Sequence, residues 1–402
     1  MTKLEELIKE LCPNGVEYKT LGEFATVIRG GNFQKKDFVE TGKPCIHYGQ
    51  MYTHFKNTTD KTLTFVSDKV FNKSKQAQPN DIVMAVTSEN VDDVCSCVAW
   101  LGKENIAVSG HTAIIHHNQN PSYMSYYFHS EHFYKQKVKL AHGTKVIEVT
   151  PDKLLNIQIP VPPLPVQEEV VRILDKFTSL TAELTAELTA RRKQYEYYRD
   201  ALLTRERSET KWKELQEIAE IGTGSCNTNE AEENGTYPFY VRSPEVLRKN
   251  TFEYDETAII TAGDGVGVGK VFHYVEGKYA LHQRAYRIHI TDKTVLPRYY
   301  FHYMKATFLN YISKEQFKAS VQSIRRPMLN KYPVPIPPFD VQERIVNVLD
   351  NFDAICSDLK IGLPAEIEAR KKQYEYYRDL LLTFASSGNT ILSEQNRTEQ
   401  MK

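Results

Sequence analysis

Two long stretches of the chain carry apolar residues at alternating steps of three and four positions. In the first stretch this stripe runs from Val170 to Leu202, and in the second it runs from Ile345 to Leu381. Steps of three and four place side chains on one face of an α-helix, and a narrow apolar stripe is typical of a helix that packs against a partner helix. The pattern therefore predicts two long helices, each with one apolar face.

The two helical stretches are copies of one another. Residues 193–200 and 372–379 share the sequence KQYEYYRD, and residues 160–168 (PVPPLPVQE) correspond to residues 335–343 (PIPPFDVQE). The offset between the copies is 175 residues at the Pro-rich start and 179 residues at the Tyr-rich end, so the second copy carries four additional residues. An internal repeat of this length indicates a chain built from two similar units.

Local signals mark where the helices begin and where one of them breaks. Asp340 followed by Glu343 predicts an N-cap with a capping box, and Pro165 in the first copy suits a first helical turn. A helix of about forty residues is about 60 Å long. Pro364 predicts a break or kink in the region of the four additional residues. A short helix is also predicted at residues 4–11, where it could add to the end of the second long helix.

Two segments of unlike sequence separate the helical copies. In both, short β-type runs (residues 81–86 and 258–261) alternate with Gly, Asn and Asp turns. A Tyr-rich helical pattern follows near the end of each segment, at residues 122–139 and 297–314. Both segments are therefore predicted to be mixed α/β domains.

The predicted fold class is α+β, with an internal pseudo-twofold repeat. Two mixed α/β domains are separated by two long antiparallel coiled-coil helices, because helices that share one apolar stripe are expected to pair. The predicted organisation is a short N-terminal helical segment (residues 1–19), a first domain (20–160), a first long helix (161–207), a second domain (208–335), a second long helix (336–385) and a polar tail (386–402).

Composition limits the class of protein. The chain has 402 residues, of which 41% are hydrophobic and 25% are charged, and its formal net charge is zero. This argues against a non-specific polycation that coats nucleic acid. No apolar run approaches the ~18 residues of a membrane span, and the first residues lack the apolar core of a secretory signal. Six cysteines do not make a disulfide framework in so long a chain. The expected location is the cytoplasm, with no membrane partner.

In this layout the whole chain resembles the specificity subunits of Type I restriction–modification systems. The resemblance is carried by the two Pro-rich starts with Gln-Glu, the paired KQYEYYRD blocks, the Gly-Leu-Pro at residues 362–364 and the tandem Thr-Ala-Glu-Leu repeat at residues 181–188. It implies two target-recognition domains that bind double-stranded DNA, each reading one half of a split, asymmetric sequence. It also implies two modification subunits that methylate adenine and restriction subunits that translocate and cut DNA.

The same resemblance implies that the specificity subunit is not itself an enzyme. S-adenosylmethionine, ATP and Mg are then expected only on the partner subunits, and neither a catalytic residue nor a metal site is expected on this chain. Two alternatives remain. One is a self-sufficient methyltransferase or nuclease, and the other is a coiled-coil scaffold, or a silent recombination allele, without active DNA readout.

The tandem Thr-Ala-Glu-Leu repeat is known in this family as a spacer whose copy number sets the recognition spacing. One unit of four residues lengthens a helix by about 6 Å and rotates it by a net ~40°. One base pair of B-DNA rises about 3.4 Å and turns about 34–36°. One unit therefore corresponds to nearly one base pair of twist, although the rise is overshot. Ala, Glu and Leu are also good helix formers, but this property alone does not explain a tandem copy.

Several motifs of nucleotide and metal sites are incomplete. Residues 263–270 (GDGVGVGK) lack the spacing of a P-loop, and Val271 follows the Lys in place of Ser or Thr. They predict either an ordinary glycine-rich loop between β-type runs or a DNA-facing loop that allows close backbone approach. Residues 336–339 (IPPF) have Ile where adenine methyltransferases have Asn or Asp. Cys95 and Cys97 lack a second pair at zinc spacing.

The candidate DNA-binding residues lie in loops of both domains. Arg, Asn, Gln, His, Ser and Thr read base edges, whereas Lys, Arg and backbone amides bind phosphates. In the first domain the candidates are Arg29, Asn32, Gln34, Lys36, Thr87, Ser88, Asn90, His111, Thr112, Thr144 and Lys145. In the second domain they are Ser225, Tyr240, Arg242, Ser243, Asp264, Gly265, His282, Gln283, Arg284, Gln322, Arg325 and Arg326.

For each candidate alone, a solvated side chain is an alternative, and His111 could instead be a buried histidine, so the prediction concerns loops. Because the two domain sequences differ, the two half-sites are expected to differ as well. The basic helix segments at residues 191–193 and 370–372 could contact phosphates between the half-sites. For the neighbouring tyrosines, packing on the partner helix or on modification subunits is favoured over DNA binding.

Overall fold

The computed structural model describes residues 2–31, 33–204, 210–315, 323–358 and 360–384. The chain divides into two compact units: unit 1 comprises Met1–Glu183 and Ile367–Lys402, and unit 2 comprises Leu184–Glu366. Each unit therefore combines one of the two unlike sequence segments with helical residues from both sequence copies.

The elements up to and including the first long helix consist mainly of short strands and short helices. The helices are α1 (Lys3–Leu11), α2 (Leu21–Phe24), α3 (Gly49–Thr53), α4 (Asp68–Lys73), α5 (Pro121–Phe128), α6 (Glu131–Leu140), α7 (Pro151–Leu154) and α8 (Leu164–Thr204). The strands are β1 (Tyr18–Thr20), β2 (Ala25–Arg29), β3 (Phe38–Val39), β4 (Lys43–Ile46), β5 (Thr58–Thr59), β6 (Thr64–Val66), β7 (Gln76–Ala77), β8 (Ile82–Ala85), β9 (Thr87–Ser88), β10 (Cys97–Trp100), β11 (Ile106–Val108), β12 (Thr112–His117), β13 (Ile147–Glu148) and β14 (Gln158–Pro160).

The remaining elements have fewer and longer strands. The helices are α9 (Leu215–Ile218), α10 (Pro297–Glu315), α11 (Arg326–Asn330), α12 (Phe339–Ser357) and α13 (Leu363–Leu381). The strands are β15 (Lys211–Glu214), β16 (Ala219–Thr223), β17 (Tyr237–Tyr240), β18 (Val246–Lys249), β19 (Tyr254–Ala262), β20 (Phe272–Leu281), β21 (Ala285–Ile290) and β22 (Pro333–Ile336). Single 3₁₀ turns lie at Lys35–Asp37 and Thr228–Glu230. Among the described residues, no helix is both long enough and apolar enough to cross a membrane.

The main sheet of unit 1 has the strand order β2-β12-β8-β10-β5, and a second sheet has the order β3-β6-β4-β11-β7. The main sheet is covered on both faces. Along β8, Ile82 and Met84 enter one apolar cluster, whereas Val83 and Ala85 enter another. A strand buried on both faces needs a continuous apolar run rather than an alternating one, which is the pattern that the sequence has at residues 82–86.

Unit 2 has one six-stranded sheet with the order β16-β21-β19-β20-β17-β18. Its central strand β19 is again buried on both faces, because Ile259 enters one apolar cluster and Ala258 and Ile260 enter another. The predicted β-runs at residues 81–86 and 258–261 are therefore confirmed as core strands. The Tyr-rich helical prediction is also confirmed, as a single helix α10 in unit 2 and as two helices in unit 1. The division in unit 1 falls at Ser130, whose side chain accepts the Phe133 amide and starts α6.

The predicted interruption of the second helical copy is present. Helix α12 ends at Ser357 and α13 begins at Leu363, with Pro364 in its first turn. The predicted capping box at Asp340 is wrong, because α12 already begins at Phe339 with Pro338 as its N-cap. Asp340 lies within the first turn and forms an ion pair with Arg344 instead.

The repeated Pro-Pro-x-x-x-Gln sequence has the same structural role in both units. In unit 1, the fully buried Gln167 donates from Nε2 to the Pro162 carbonyl (2.8 Å) and accepts the Asn120 amide (2.9 Å). In unit 2, the fully buried Gln342 donates to the Pro337 carbonyl (2.9 Å) and accepts the Leu296 amide (2.8 Å). This glutamine therefore ties the start of each helix to the domain of its own unit.

The repeated KQYEYYRD block likewise makes matched contacts. In unit 1 the ring of Tyr377 stacks on Phe177 with centroids 5.4 Å apart. In unit 2 the ring of Tyr198 stacks on Phe352 with centroids 5.8 Å apart. Tyr198 and Tyr377 occupy the same position of the octapeptide, so the block packs helix against helix within each unit. The predicted role of these tyrosines in helix packing is confirmed at this position.

Candidate nucleic-acid interface

In both units, loops from several strands lie together at one edge of the main sheet. In unit 1, β12 is antiparallel to both β2 and β8, so the ends of β2 and β8 meet the start of β12 at one edge. In unit 2, β21 is antiparallel to both β16 and β19. The ends of β16 and β19 therefore meet the start of β21 at the corresponding edge.

Backbone hydrogen bonds fix the correspondence residue by residue. In unit 1 the Val86 amide donates to the His111 carbonyl (3.0 Å), and the Val149 amide donates to the Val86 carbonyl (3.0 Å). In unit 2 the Gly263 amide donates to the Arg284 carbonyl (2.8 Å), and the Ile324 amide donates to the Gly263 carbonyl (2.8 Å). By this pattern His111 corresponds to Arg284. The next residues after Val86 and Gly263, Thr87 and Asp264, correspond as well.

In unit 1 the centre of this edge is a Thr–His pair. Thr87 Oγ1 lies 3.1 Å from His111 Nδ1, and the His111 ring lies 4.9 Å from the Tyr48 ring. Tyr52 Oη donates to the Thr87 carbonyl at 2.6 Å. His111 is exposed, so the alternative of a buried histidine is wrong. Its ring is held by Thr87 and Tyr48 while it remains accessible to solvent.

Arg29, the last residue of β2, joins three segments of the same edge. Its Nε donates to the Gly110 carbonyl at 3.0 Å, and its Nη1 lies 2.7 Å from Glu148 Oε1. Glu148 belongs to β13, which pairs with β9. The guanidinium is therefore held from two sides.

The loop at residues 143–146 extends from this edge with exposed Thr144, Lys145 and Val146. Gly143 has φ +114°, and a Cβ there would lie 2.0 Å from the Val146 carbonyl oxygen. Only glycine fits this turn without strain. The turn presents a hydroxyl, a cation and an apolar side chain together, next to the Arg29–Glu148 pair.

Of the other first-domain candidates, most are at least partly buried or bonded to nearby residues, whereas Lys36 is exposed. Thr112 is fully buried and donates to the Ser109 carbonyl at 2.5 Å, so it shapes the turn beneath the surface. Asn90 bonds through both ends of its amide to Asp93. Ser88 pairs with Ile147 through β9. Gln34 starts the exposed 3₁₀ turn that contains Lys36, and Asn32 lies outside the described residues.

In unit 2 the centre of the edge is an Arg–Asp–Arg cluster. Arg242 Nη1 lies 2.6 Å from Asp264 Oδ1, and Arg284 Nη1 lies 3.2 Å from Asp264 Oδ2. Partial burial raises the pKa of the Asp264 carboxyl, but pairing with Arg242 and Arg284 outweighs it, and the pKa lies below its ordinary value. Asp264 is therefore ionised at neutral pH and holds two guanidinium groups from different loops.

The glycine-rich loop that follows Asp264 has an apolar tip. Gly265 has φ +81°, and the neighbouring Val266 is 91% exposed. The loop leads from β19 into β20 rather than into a helix, so it lacks the helix N-terminus that cradles phosphates in a P-loop. The predicted position of this loop between two strands is confirmed, and its contact with DNA stays a prediction.

Arg325 and Arg326 are exposed at the start of α11. Their segment joins the same edge, because Ser323 bridges to Asp264 and the Ile324 amide bonds to Gly263. The edge of unit 2 therefore collects four arginines, of which Arg242 and Arg284 bond to the Asp264 carboxylate. Gln322 lies outside the described residues.

The remaining candidates of unit 2 flank this cluster. His282 is buried, and its Nδ1 accepts the Arg284 amide at 3.0 Å, so it shapes the turn that presents Arg284. Ser225 is bonded to Glu253, and Gln283 donates to Asn227. Tyr240 is partly buried with its ring 5.0 Å from His273, and the Ser243 hydroxyl donates to the Glu245 carbonyl.

Among the residues of these edges that were not sequence-based candidates are Glu148, Val146 and Val266. Glu148 was missed because its partner Arg29 is 119 positions away, and a local pattern carries no sign of this pairing. Val146 and Val266 were passed over as apolar, although Val146 follows the polar Thr144 and Lys145, Val266 lies between two glycines, and both valines are exposed. Within the described ranges, no group of three or more His, Cys, Asp or Glu side chains is arranged to hold a metal ion.

The comparisons with known proteins agree with this repeated arrangement. The family described as Type I restriction modification DNA specificity domain matches residues 13–191 and 208–369. Over 256 residues the chain is 37% identical to the Type I restriction enzyme EcoR124I/EcoR124II specificity subunit of Escherichia coli, covering 57% of this chain and 63% of that subunit. Over 211 residues it is 29% identical to the Type I restriction enzyme MpnII specificity subunit of Mycoplasma pneumoniae, covering 48% of this chain and 62% of that subunit.

The matched regions thus span less than two thirds of the length of these two relatives. A solved structure gives a longer match at the level of the fold. The crystal structure of the Type I restriction-modification system S subunit from M. genitalium has a TM-score of 0.56 and 15% identity, covering 91% of this chain and 96% of that chain. With one family match over each of its two sequence copies, the chain belongs to the Type I restriction modification DNA specificity domain family.

Proposed function

We propose that this chain is the DNA-recognition subunit of a Type I restriction–modification complex and reads a split, asymmetric target. The segment at residues 20–160 then reads one half of the target, and the segment at residues 208–335 reads the other half. The subunit selects the sequence, the modification subunits methylate adenine within it, and the restriction subunits cleave unmodified DNA. The reactions and their cofactors belong to those partner subunits.

The observation that carries this proposal is that the two units share the same backbone hydrogen bonds at this edge but differ in the side chains placed there. The same backbone hydrogen bonds place His111 and Arg284 at corresponding positions, and Thr87 and Asp264 behind them. A framework that only stabilised the fold would have no reason to exchange a Thr–His pair for an Asp–Arg pair at an exposed edge. Exposed polar groups on a fixed backbone are what base-edge recognition requires.

The helical copies support a separate role as spacer and docking elements. We propose that they pair antiparallel and set the distance between the half-sites, with the Thr-Ala-Glu-Leu tandem as the adjustable part. That tandem lies within α8, and its Ala and Glu residues are all exposed. Within the tandem, only Thr181, Leu184 and Leu188 are partly buried.

The repeated octapeptide also supports two equivalent docking places for modification subunits. Tyr197 and Tyr376 occupy the same octapeptide position, and they are 70% and 57% exposed, respectively. Each packs edge-on against the neighbouring tyrosine, with centroid distances of 5.5 and 5.4 Å. Exposed tyrosines are frequent in protein interfaces, and identical surfaces in two units fit two copies of one partner.

The test is to co-express the chain with its modification subunit and to map adenine methylation in the host DNA by single-molecule sequencing. The proposal predicts one split, asymmetric motif with a fixed spacer. Absence of any motif from a complex that assembles and binds S-adenosylmethionine would instead favour the scaffold or silent-allele alternative.

A further inference from the structure

The exposed edge of unit 2 differs from that of unit 1 at one well-defined pair of positions. Arg284 stands where unit 1 has His111, and Asp264 stands where unit 1 has Thr87. In both units the side chains of these two residues bond to each other: Thr87 with His111 in unit 1, and Asp264 with Arg284 in unit 2. At this pair of positions each unit therefore presents one restrained side chain, a histidine in unit 1 and an arginine in unit 2.

Arg284 is held but not buried. Its side chain is 61% exposed, whereas that of Asp264 is 26% exposed. Nη1 is bonded to Asp264, while Nε and Nη2 have no hydrogen-bond partner among the described residues. The backbone is fixed as well, since the Arg284 amide bonds to His282 and its carbonyl accepts the Gly263 amide. The planar guanidinium of Arg284 therefore keeps free N–H donors in a restrained orientation.

The neighbouring carboxylate makes a phosphate a poorer acceptor for Arg284 than a neutral base edge, although Arg242 offsets part of its charge. A phosphate placed against Arg284 would lie close to the negative charge of Asp264, and like charges at short range repel. A neutral base edge avoids this repulsion. In the major groove, guanine alone presents two adjacent acceptors, O6 and N7, and a bidentate arginine is their usual partner.

Arg242 completes the arrangement from the other side of Asp264. Its contact is the shorter of the two (2.6 Å), and its side chain is less exposed than that of Arg284. It neutralises part of the Asp264 charge, which lowers the cost of keeping this carboxylate at the edge. The ion pair with Arg242 thus fixes the position of the Asp264 carboxylate, which in turn orients Arg284.

We propose that Arg284 reads a guanine in the half-site bound by unit 2, and that Asp264 is the positioning residue that orients Arg284 for this contact. This inference rests on the proposed function, because it specifies one base that unit 2 recognises. Arg284 is the specificity-determining group. Asp264 acts through Arg284 and does not need to touch the DNA.

The experiment compares complexes that contain the unaltered chain, R284A, R284K or D264N, each assembled with modification subunits. Each complex methylates unmethylated, fragmented bacterial genomic DNA with S-adenosylmethionine, and sequencing gives the relative methylation for every base at every motif position. We expect the unaltered complex to prefer G·C at one position of one half-site by roughly 5- to 150-fold, the range of a good bidentate pair. R284A and R284K should both lose most of this preference, because lysine keeps the charge but not the planar fork.

D264N should weaken the preference at that same position and leave the rest of the motif unchanged. In the double variant D264N/R284A the loss should be no larger than in R284A, because the two residues act as one unit. R248A removes an exposed arginine from β18 and serves as the charge-matched control, with an unchanged motif expected. Thermal melting and co-purification with the modification subunit verify that each variant folds and assembles.

Three results would overturn the inference. One is an R284A motif with unaltered base preferences. Another is an R284A complex that methylates all sequences uniformly less with the base preference retained, which identifies a phosphate contact. The third is a D264N complex that is merely less active on every sequence, which identifies a purely structural role. If the unaltered complex methylates without sequence preference, the proposed function itself fails, which is a distinguishable outcome.

Discussion

Replacing Gln342 by Leu tests how the repeated helix start is tied to its domain. Gln342 is fully buried. It donates to the Thr294 carbonyl (2.8 Å) and the Pro337 carbonyl (2.9 Å), and it accepts the Leu296 amide (2.8 Å). Leucine has a similar size, so that the loss of hydrogen bonds dominates over any cavity.

The magnitude follows from the groups that are left without partners. Each buried polar group that loses its partner costs about 1–3 kcal/mol, and Q342L leaves one amide and two carbonyls unsatisfied. Partial relaxation and the second lone pair of each carbonyl reduce the total, so we expect a loss of at least about 3 kcal/mol. A protein domain has only about 5–15 kcal/mol of total stability, and unit 2 should therefore be strongly weakened.

The assay is hydrogen exchange combined with urea unfolding of the purified chain. The amide of Leu296 should lose protection in Q342L, while amides of unit 1 such as that of Asn120 should remain protected. Q167L is the matched variant in unit 1 and should show the reverse pattern, because Gln167 accepts the Asn120 amide. Q216L, at an exposed position of α9, should change the stability by less than about 0.5 kcal/mol. Unchanged protection of Leu296 with a loss below about 1 kcal/mol would refute this account of the repeat.

Three further predictions concern the spacer, the first half-site and the pH dependence. Deleting residues 181–184 should shorten the spacer of the methylated motif and leave both half-sites intact, because a helix loses about 6 Å with four residues; unchanged spacing would contradict the spacer role. E148Q removes the ion pair with Arg29 (2.7 Å) and should alter base preference only in the half-site of unit 1, as mapped by methylation sequencing; a change in both halves would contradict this. Burial lowers the pKa of His302 despite its bond to Asp350, so its protonation favours the unfolded state and its contribution to stability falls as the pH drops below about 6.5. H302Q should therefore show a smaller loss of urea midpoint between pH 7 and pH 5 than the unaltered chain, and an equal loss would contradict the role of His302.

The periodic features of the fold could be predicted from the sequence because they depend on neighbouring residues. The apolar steps of three and four predicted the helices, and the Gly-Leu-Pro at residues 362–364 predicted the interruption of the second copy. A Cβ on Gly362 would lie 2.6 Å from the Ala354 carbonyl oxygen, so this close turn requires glycine. The capping box at Asp340 failed because Pro338 already starts the helix two residues earlier.

The site was less predictable, because its contacts join distant parts of the chain. Arg29 and Glu148, or Arg242 and Asp264, meet only after antiparallel strands have paired. Turn residues such as Thr112 and His282 have the composition of a binding loop, yet they are buried and shape the turn. Polar side chains in a glycine-containing turn can face either the solvent or their own backbone, and the sequence alone does not distinguish the two.

The central claim is that each unit reads its own half of the target independently. The most direct test replaces residues 20–160 by the corresponding domain of another family member with a known motif, while the helical copies and unit 2 stay unchanged. The methylated motif, sequenced after assembly with modification subunits, should change in one half only, with the other half retained. A motif in which both halves change, or neither does, would contradict the account.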